Sequence, residues 1–153
     1  MSVNHETWMR QALAQAAEAQ AAGEVPIGAV VVSNDQVIAR GHNLKETLQD
    51  PTAHAEIIAI REAASKQHSW RLEDADLYVT VEPCPMCMGA MLQARVHRVI
   101  FGVFDPKAGA AGSVVDLSMC KQFNHTIEVI DGVMEKECRQ LMQDFFQHRR
   151  KSE

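Results

Sequence analysis

Features that would place the chain in a membrane, outside the cell or among multidomain proteins are missing from its 153 residues. No run approaches the roughly 18 consecutive apolar residues that a membrane span needs. The first 22 residues carry Glu6, Arg10 and Glu18 where a secretory signal peptide would have an apolar core. Repeats, low-complexity segments and linkers are also missing. We therefore expect a cytoplasmic protein with one domain over residues 1–153 and no membrane contact.

An excess of basic residues is missing too, since 15 lysines and arginines stand against 20 aspartates and glutamates, for a formal net charge of −5. That charge alone argues mildly against nucleic acid as a partner, because phosphate binding favours a basic surface. Two local basic features are nevertheless present, Lys107 in a glycine-rich loop and the tail HRRK at 148–151. A local basic patch is compatible with a negative net charge on the whole protein. A solvated basic helix end, favoured by the helix dipole, explains the tail equally well.

Cysteines are few, and their spacing argues against disulfides. The four are Cys84, Cys87, Cys120 and Cys138. Cys84 and Cys87 are too close in sequence for an ordinary long-range disulfide. In the reducing compartment that we expect, paired cysteines more often bind metal. Cys120 and Cys138 are expected to behave as small apolar residues.

The hydrophobic pattern predicts an α/β fold with a mixed sheet of about five strands and helices on both faces. Residues 25–32 form a continuous apolar run typical of a strand buried on both faces, and a turn at Asn34–Asp35 predicts an antiparallel hairpin. The strand–helix–strand pattern over 77–101 predicts a parallel pair with a right-handed crossover. The predicted helices cover 3–22, 51–66, 84–94 and 135–149, and the predicted strands cover 25–32, 36–41, 77–81, 96–101 and 126–130. Residues 42–50 and 105–112 are predicted as loops, and 113–119 as a turn of helix.

Two short stretches carry the chemistry, PTAHAE at 51–56 and EPCPMC at 82–87. They supply one imidazole, two thiols and one carboxylate, from His54, Cys84, Cys87 and Glu56. Three protein ligands, here the imidazole and the two thiols, and an open fourth position are typical of a catalytic zinc site. A structural site uses four protein ligands. Zinc lowers the pKa of a bound water to about 7, and Glu56 is then available as a general acid and base. The set fits hydrolytic release of ammonia from an aminated heterocycle.

The spacing also predicts where these side chains lie. His54 and Glu56 differ by about 200° around a helix, so they can share a site only where that helix begins. Cys84 and Cys87 are three apart, on one face of the first turn of another helix. Two helix N-termini are therefore expected to converge at one edge of the sheet. The partial positive charge of a helix N-terminus lowers the pKa of a nearby thiol and so favours thiolate ligands.

Two other uses of the C-x-x-C pair remain open at the level of sequence. A redox pair should open a thioredoxin-like βαβ unit, and the H-x-E motif has no role in such a unit. A structural zinc site needs a fourth ligand, which Cys120, His97 or His125 would supply. A non-enzymatic zinc module is therefore an alternative hypothesis.

The motifs resemble those of the zinc-dependent nucleobase and nucleoside deaminases, which share the pattern H-x-E…P-C-x-x-C. Within that superfamily the chain most resembles the bacterial tRNA-specific adenosine deaminases. The matching stretches are EVPIGAVVV, GHN, DPTAHAE, LYVTVEPCPMCMGAM, FGVFDPKAGAAGS and, more loosely, FFQHRR. Together they cover nearly the whole chain. The metal pattern alone specifies the superfamily, while AHAEI, GAAGS and the C-terminal helix narrow the resemblance to the tRNA enzymes.

The resemblance implies a three-layer α/β/α cytidine-deaminase-like fold and one zinc ion per subunit. By this resemblance His54, Cys84 and Cys87 would hold the zinc and Glu56 would shuttle protons. The implied reaction is the hydrolytic conversion of a flipped adenosine to inosine at the wobble position of a tRNA anticodon stem-loop, by a homodimer.

Substrate contacts are implied in the same way. Asn43 would hydrogen-bond the target base, and residues 105–113 would touch the flanking nucleotides, with Asp105 and Lys107 as the main contacts. Phe104 stands where the resemblance leads us to expect a basic residue. A deaminase of a free base or nucleoside, of the guanine or cytosine type, is the alternative, because it shares the metal motifs and its substrate needs no basic surface.

Overall fold

The computed structural model describes residues 4–152 and contains a five-stranded mixed sheet. The helices are α1 His5–Ala21, α2 Lys45–Leu48, α3 Ala55–Gln67, α4 Pro85–Ala94 and α5 Glu135–Ser152. The strands are β1 Gly28–Ser33, β2 Gln36–His42, β3 Asp76–Val81, β4 Arg98–Val103 and β5 Glu128–Ile130. Their order in the sheet is β2-β1-β3-β4-β5. Strand β1 is antiparallel to β2 and β3, whereas β3–β4 and β4–β5 are parallel pairs.

Helices cover both faces of this sheet, as predicted. Strand β1 is buried along its whole length. Its Ala29 and Val31 pack in a core with residues of α3 and α4, and its Val30 and Val32 pack in a second core with residues of α1 and α5. The alternation follows from the two-residue period of a strand. The predicted three-layer α/β/α architecture is therefore confirmed.

The pairing brings four chain segments to one edge of the sheet. Strands β2, β3 and β4 run in the same direction, and β1 runs against them. The segments after β2, β3 and β4 therefore meet the segment before β1. Helix α3 lies directly against β2 at this edge. The contact is so close that a Cβ at Gly41 would overlap the carbonyl oxygen of Ala55 and the amide nitrogen of Ala59.

Several predicted boundaries are wrong for local reasons. The helix expected from Pro51 begins only at Ala55, because the Asp50 carboxylate accepts hydrogen bonds from the amide and hydroxyl of Thr52 at 2.8 and 2.7 Å and closes a separate turn. The predicted loop 42–50 contains the short helix α2. The predicted turn of helix at 113–119 is irregular chain with an isolated bridge between Ala111 and Asp116.

The remaining differences are shifts at element ends. Strand β1 begins at Gly28 and β4 at Arg98, each later than predicted. Strand β5 is shorter than predicted, and α5 continues to Ser152. The predicted start of the first helix, at Val3, lies outside the described residues. Among residues 4–152 there is no helix long and apolar enough to cross a membrane.

Candidate active site

Two helix starts face each other at the sheet edge. His54 is the N-cap residue of α3 and Cys84 is the N-cap residue of α4, both with extended backbone. N-cap side chains commonly accept a hydrogen bond from their own helix, but neither of these two does so. The imidazole and the thiol are instead directed toward each other, and Cys87 joins them from the first turn of α4.

The three side chains form a group with the dimensions of a zinc site. His54 Nδ1 lies 3.6 Å from Cys84 Sγ and 3.6 Å from Cys87 Sγ, and the three atoms all lie within 4.8 Å of one another. Tetrahedral zinc, with Zn–N of about 2.0–2.1 Å and Zn–S of about 2.3 Å, places such nitrogen and sulfur atoms about 3.6 Å apart. The donor set and its spacing therefore fit zinc.

A fourth protein ligand does not join this group within the described part of the chain. Of the candidates for that role, the Cys120 thiol donates to Gln122 Oε1 at 3.1 Å, and His125 Nε2 lies 2.7 Å from the Val96 carbonyl oxygen. His97 is likewise not a member of the group. The arrangement has the three protein ligands of a catalytic site, which argues against the structural module. His54 lies in one group with both sulfurs, which favours a metal site over a redox pair of the two cysteines alone.

The electrostatics of the group favour a thiolate at Cys84 and a thiol at Cys87. A hydrogen bond from the Cys87 thiol, together with one from His54, lowers the pKa of Cys84 to about 4 despite burial. The pKa of Cys87 is raised, because its proton is held by Cys84 and the thiol is buried. Cys84 is therefore the more acidic of the two thiols. A thiolate is the form that binds a metal.

Glu56 lies in the first turn of α3 beside this group and is 4% exposed. Burial raises its pKa to about 7, although nearby His54 acts in the opposite direction. A carboxyl group with a pKa near neutrality can both accept and return a proton. The H-x-E spacing thus places a buried carboxyl group beside the candidate metal ligands, as the helix-start argument predicted.

A cavity of about 180 Å³ opens onto these groups. It is lined by the following residues: Val25, Ile27, Asn43, Lys45, His54, Ala55, Glu56, Val81, Glu82, Cys84, Asp105 and Ala108. Val25, Ile27, Val81 and Asp105 also line a groove of about 900 Å³, so the cavity and the groove adjoin. Among the predicted substrate contacts, Asn43 and Asp105 are placed at the cavity, whereas Lys107 lies in the groove.

Asn43 and Asp105 both hold loop backbone at the cavity rim. The Asn43 side chain accepts from the Lys45 amide at 3.1 Å and donates to the Val25 carbonyl at 3.3 Å. The Asp105 carboxylate accepts from the amides of Lys107 and Ala108 at 3.0 and 3.2 Å. Their predicted contacts with substrate are therefore additional to a structural role that the sequence did not indicate.

The groove combines cations with exposed aromatic rings. Its lining includes Lys107, Arg139 and Arg150. Phe104 is 50% exposed, and Phe146 of α5 is 39% exposed. Phe104 is itself fixed by an edge-to-face contact with Phe101. Helix α5 therefore contributes to the surface next to the cavity. Of this contribution, the sequence indicated only the basic tail at the end of the helix.

Two buried glutamates also escaped sequence reasoning. Glu24 is 1% exposed and accepts hydrogen bonds from the Glu46 and Thr47 amides in the first turn of α2. Glu82 is 3% exposed and binds the backbone of the 105–113 loop. The sequence signal for Glu82 was its position at the end of a buried apolar strand, because a carboxylate buried there needs several hydrogen-bond donors.

Comparison with known proteins agrees with this geometry. A family model of the MafB19-like deaminases matches residues 3–150. The tRNA-specific adenosine deaminase of Bacillus subtilis (strain 168) is 51% identical over 146 residues, which cover 95% of this chain and 91% of that protein. The tRNA-specific adenosine deaminase of Haemophilus influenzae is 48% identical over 146 residues, 95% of this chain and 84% of that protein.

Solved structures show the same relationship. A structure from studies of A-to-I editing by tRNA:A34 deaminases at the wobble position of transfer RNA has a TM-score of 0.85 and 44% identity, covering 88% of this chain and 98% of that one. Guanine deaminase from Bacillus subtilis, at 42% identity, has a TM-score of 0.65 and covers 72% of this chain and 71% of that one. Because the sequence matches extend over nearly the full length of this chain and most of each relative, the chain belongs to the family of tRNA-specific adenosine deaminases.

Proposed function

We propose that this chain hydrolytically deaminates adenosine to inosine at the wobble position of a tRNA anticodon, with release of ammonia. The observation that carries the proposal is the group of His54, Cys84 and Cys87, with the buried carboxyl of Glu56 beside it at a base-sized cavity. The high identity to proteins named tRNA-specific adenosine deaminases supports the choice of substrate.

His54, Cys84 and Cys87 would hold one zinc ion per subunit. When bound, zinc supplies the Lewis acidity that makes water a nucleophile near neutral pH. Glu56 takes a proton from the attacking water and gives it to the ring nitrogen next to the amino-bearing carbon. Glu56 then takes the second proton from the hydroxyl group now on that carbon and gives it to the amine, which leaves as ammonia while the carbonyl forms. Its pKa of about 7 suits both transfers.

The shape of the site supports a nucleotide within a strand over a free nucleoside. An enzyme that acts on a base in nucleic acid takes that base out of its stack and into a pocket. Here the cavity of about 180 Å³ adjoins a groove of about 900 Å³. Cations and aromatic rings bind the backbone and bases of single-stranded RNA. In this arrangement Asn43 would bond the target base, while Asp105 and Lys107 would contact the flanking nucleotides.

We further propose that the protein acts as a homodimer. Apolar side chains that follow the 105–113 loop are strongly exposed in the single chain, namely Val114, Val115, Met119 and Phe123 at 57, 45, 64 and 46%. A second copy that covers them would remove this apolar surface from water. Light scattering should then report the mass of two chains, and the mass of one chain would contradict the proposal.

A cytoplasmic location and a single domain over residues 1–153 complete the proposal. Thiolate ligands persist in a reducing compartment, and the four cysteines are free. The described residues contribute to one sheet with helices packed on both faces, which supports a single folding unit.

The decisive experiment is an inosine assay with purified protein. The substrates are a panel of anticodon stem-loops with adenosine at the wobble position, and free adenosine, guanine and cytosine. We expect inosine from at least one stem-loop, loss of activity after treatment with a chelator, and recovery on addition of Zn²⁺. Conversion of a free base or nucleoside with no reaction on any stem-loop would favour the small-molecule deaminase. Activity that persists after complete removal of metal would contradict the mechanism.

A further inference from the structure

A buried carboxylate outside the proposed chemistry lies directly before the cysteine helix. Glu82 follows the last residue of β3 and is 3% exposed. Its Oε1 accepts from the Asp105 amide at 2.9 Å and from the Ser113 hydroxyl. Its Oε2 accepts from the amides of Ala111 and Ser113 at 2.9 and 3.1 Å. One side chain thus binds both ends of the 105–113 loop.

The loop is built closely around this carboxylate. A Cβ at Gly109 would overlap the Glu82 carboxyl atoms, so only glycine permits the observed approach. The next amide, of Ala110, donates to the Pro83 carbonyl at 2.8 Å. A buried carboxylate is tolerated only when donors satisfy it, and the four donors here all come from the loop. The loop conformation and the buried charge therefore depend on each other.

Glu82 also links the loop to the candidate metal site. Its own amide donates to the Val103 carbonyl at 2.8 Å, which ties the ends of β3 and β4 together. Two residues later, Cys84 begins the approach to α4. On the other side of the carboxylate, Asp105 lines the cavity and Lys107 lines the groove. The Glu82 side chain, together with the hydrogen bond from Ala110 to Pro83, thus sets the position of the loop relative to Cys84.

We propose that Glu82 is a positioning residue that fixes the 105–113 loop against the metal site, so that the loop holds the nucleotides next to the target adenosine. It acts through Asp105 and Lys107 and touches no reacting atom. This inference rests on the proposed function, because it assumes that the loop contacts a nucleic-acid substrate.

The first test is Glu82→Gln, assayed on an anticodon stem-loop. The amide keeps the shape of the side chain but replaces one acceptor oxygen with a donor, which faces the N–H groups of the loop. We expect KM to rise roughly tenfold, the scale of a lost buried hydrogen bond, while kcat changes less and the zinc content is unchanged. Glu73→Gln is the matched control, since it makes the same change at a side chain that is 57% exposed, and it should leave KM and kcat unaltered.

The second readout separates positioning from a general structural effect. Stem-loops with an abasic nucleotide beside the target adenosine should have a raised KM in the wild-type enzyme. In Glu82→Gln the same abasic change should raise KM by a smaller factor, because the contact is already weakened. An abasic penalty equal to that of the wild type would contradict the inference.

Ser113→Ala provides a test that does not depend on the folding of Glu82→Gln. It removes one donor and keeps the carboxylate, so we expect a smaller KM increase and a partly reduced abasic penalty. Wild-type KM and penalty in Ser113→Ala, or in a folded Glu82→Gln, would overturn the inference.

Hydrogen exchange distinguishes this inference from the proposed function. In the zinc-loaded protein without substrate, Glu82→Gln should lower protection of the Ala111 and Ser113 amides and leave the α4 amides unchanged. If the wild type forms no inosine from any stem-loop, the proposed function fails, and so does the role in substrate positioning. If inosine forms but these loop amides keep their protection, the proposed function stands and the role of Glu82 is refuted.

Discussion

At the scale of single residues, Glu56 carries the clearest prediction. Glu56→Gln keeps the size of the side chain but cannot transfer protons, so we expect kcat to fall by about 10²–10⁴-fold. Zinc content should stay at one per chain, because all three candidate ligands remain. Glu62→Gln is the matched control on the same helix, where the side chain is 39% exposed and pairs with Lys66. Near-normal turnover by a zinc-loaded Glu56→Gln would exclude Glu56 as the proton carrier.

Residue spacing explains why some of the site was predictable and some was not. His54 and Glu56 are two apart, and Cys84 and Cys87 are three apart, so local helix geometry places each pair without knowledge of the fold. Glu82 differs, because its hydrogen-bond partners lie 23 to 31 residues later in the chain. Only the pairing of β3 with β4 brings them within reach.

At the scale of secondary-structure elements, the contact between α3 and β2 positions one half of the site. Gly41→Ala places a Cβ against backbone atoms of Ala55 and Ala59 in α3. We expect a loss of about 1–3 kcal/mol in the free energy of unfolding, typical of overpacking. Urea denaturation measures this change. An unaltered unfolding midpoint would show that the helix moves away from the strand at no cost.

Gly89 in α4 supplies the matched control for the same substitution. A Cβ there has no neighbour within 4 Å, and alanine within a helix is favoured over glycine by about 0.5–1 kcal/mol. Gly89→Ala should therefore raise the free energy of unfolding. If Gly41→Ala lowers the free energy of unfolding and Gly89→Ala raises it, the packing around each glycine, and not the loss of a glycine itself, determines the change.

The predicted elements were correct in kind and order, but three local structures were not. Asp50 and Pro51 have the composition of a helix start, yet the Asp50 carboxylate closes a turn with Thr52 and α3 begins later. The amides of Ala111 and Ser113 bind Glu82, so the chain beyond them does not form the predicted helical turn. Helix α2 forms where the Glu24 carboxylate accepts hydrogen bonds from the amides of its second and third residues, Glu46 and Thr47. In the last two cases a buried carboxylate distant in sequence decides the local structure.

At the scale of the whole molecule, the net charge of −5 taken alone argues against RNA as a substrate. Charge acts locally in salt, however, since the screening length is about 8 Å at physiological ionic strength. The groove beside the cavity is lined by Lys107, Arg139 and Arg150. Of these, Arg139 is paired with Glu135. The local cations of the groove, and not the total charge, should therefore govern binding of the anticodon stem-loop.

This argument predicts a salt dependence that one substitution changes. The logarithm of the stem-loop binding constant should fall linearly with the logarithm of salt concentration. Lys107→Gln should reduce the magnitude of that slope by about 1, as expected for the loss of one phosphate contact. Lys66→Gln on α3 removes the same charge at a side chain that is 58% exposed and pairs with Glu62, and it should leave the slope unchanged. Equal slopes for the two variants would mean that Lys107 makes no phosphate contact, and that the groove binds RNA through its arginines and aromatic rings.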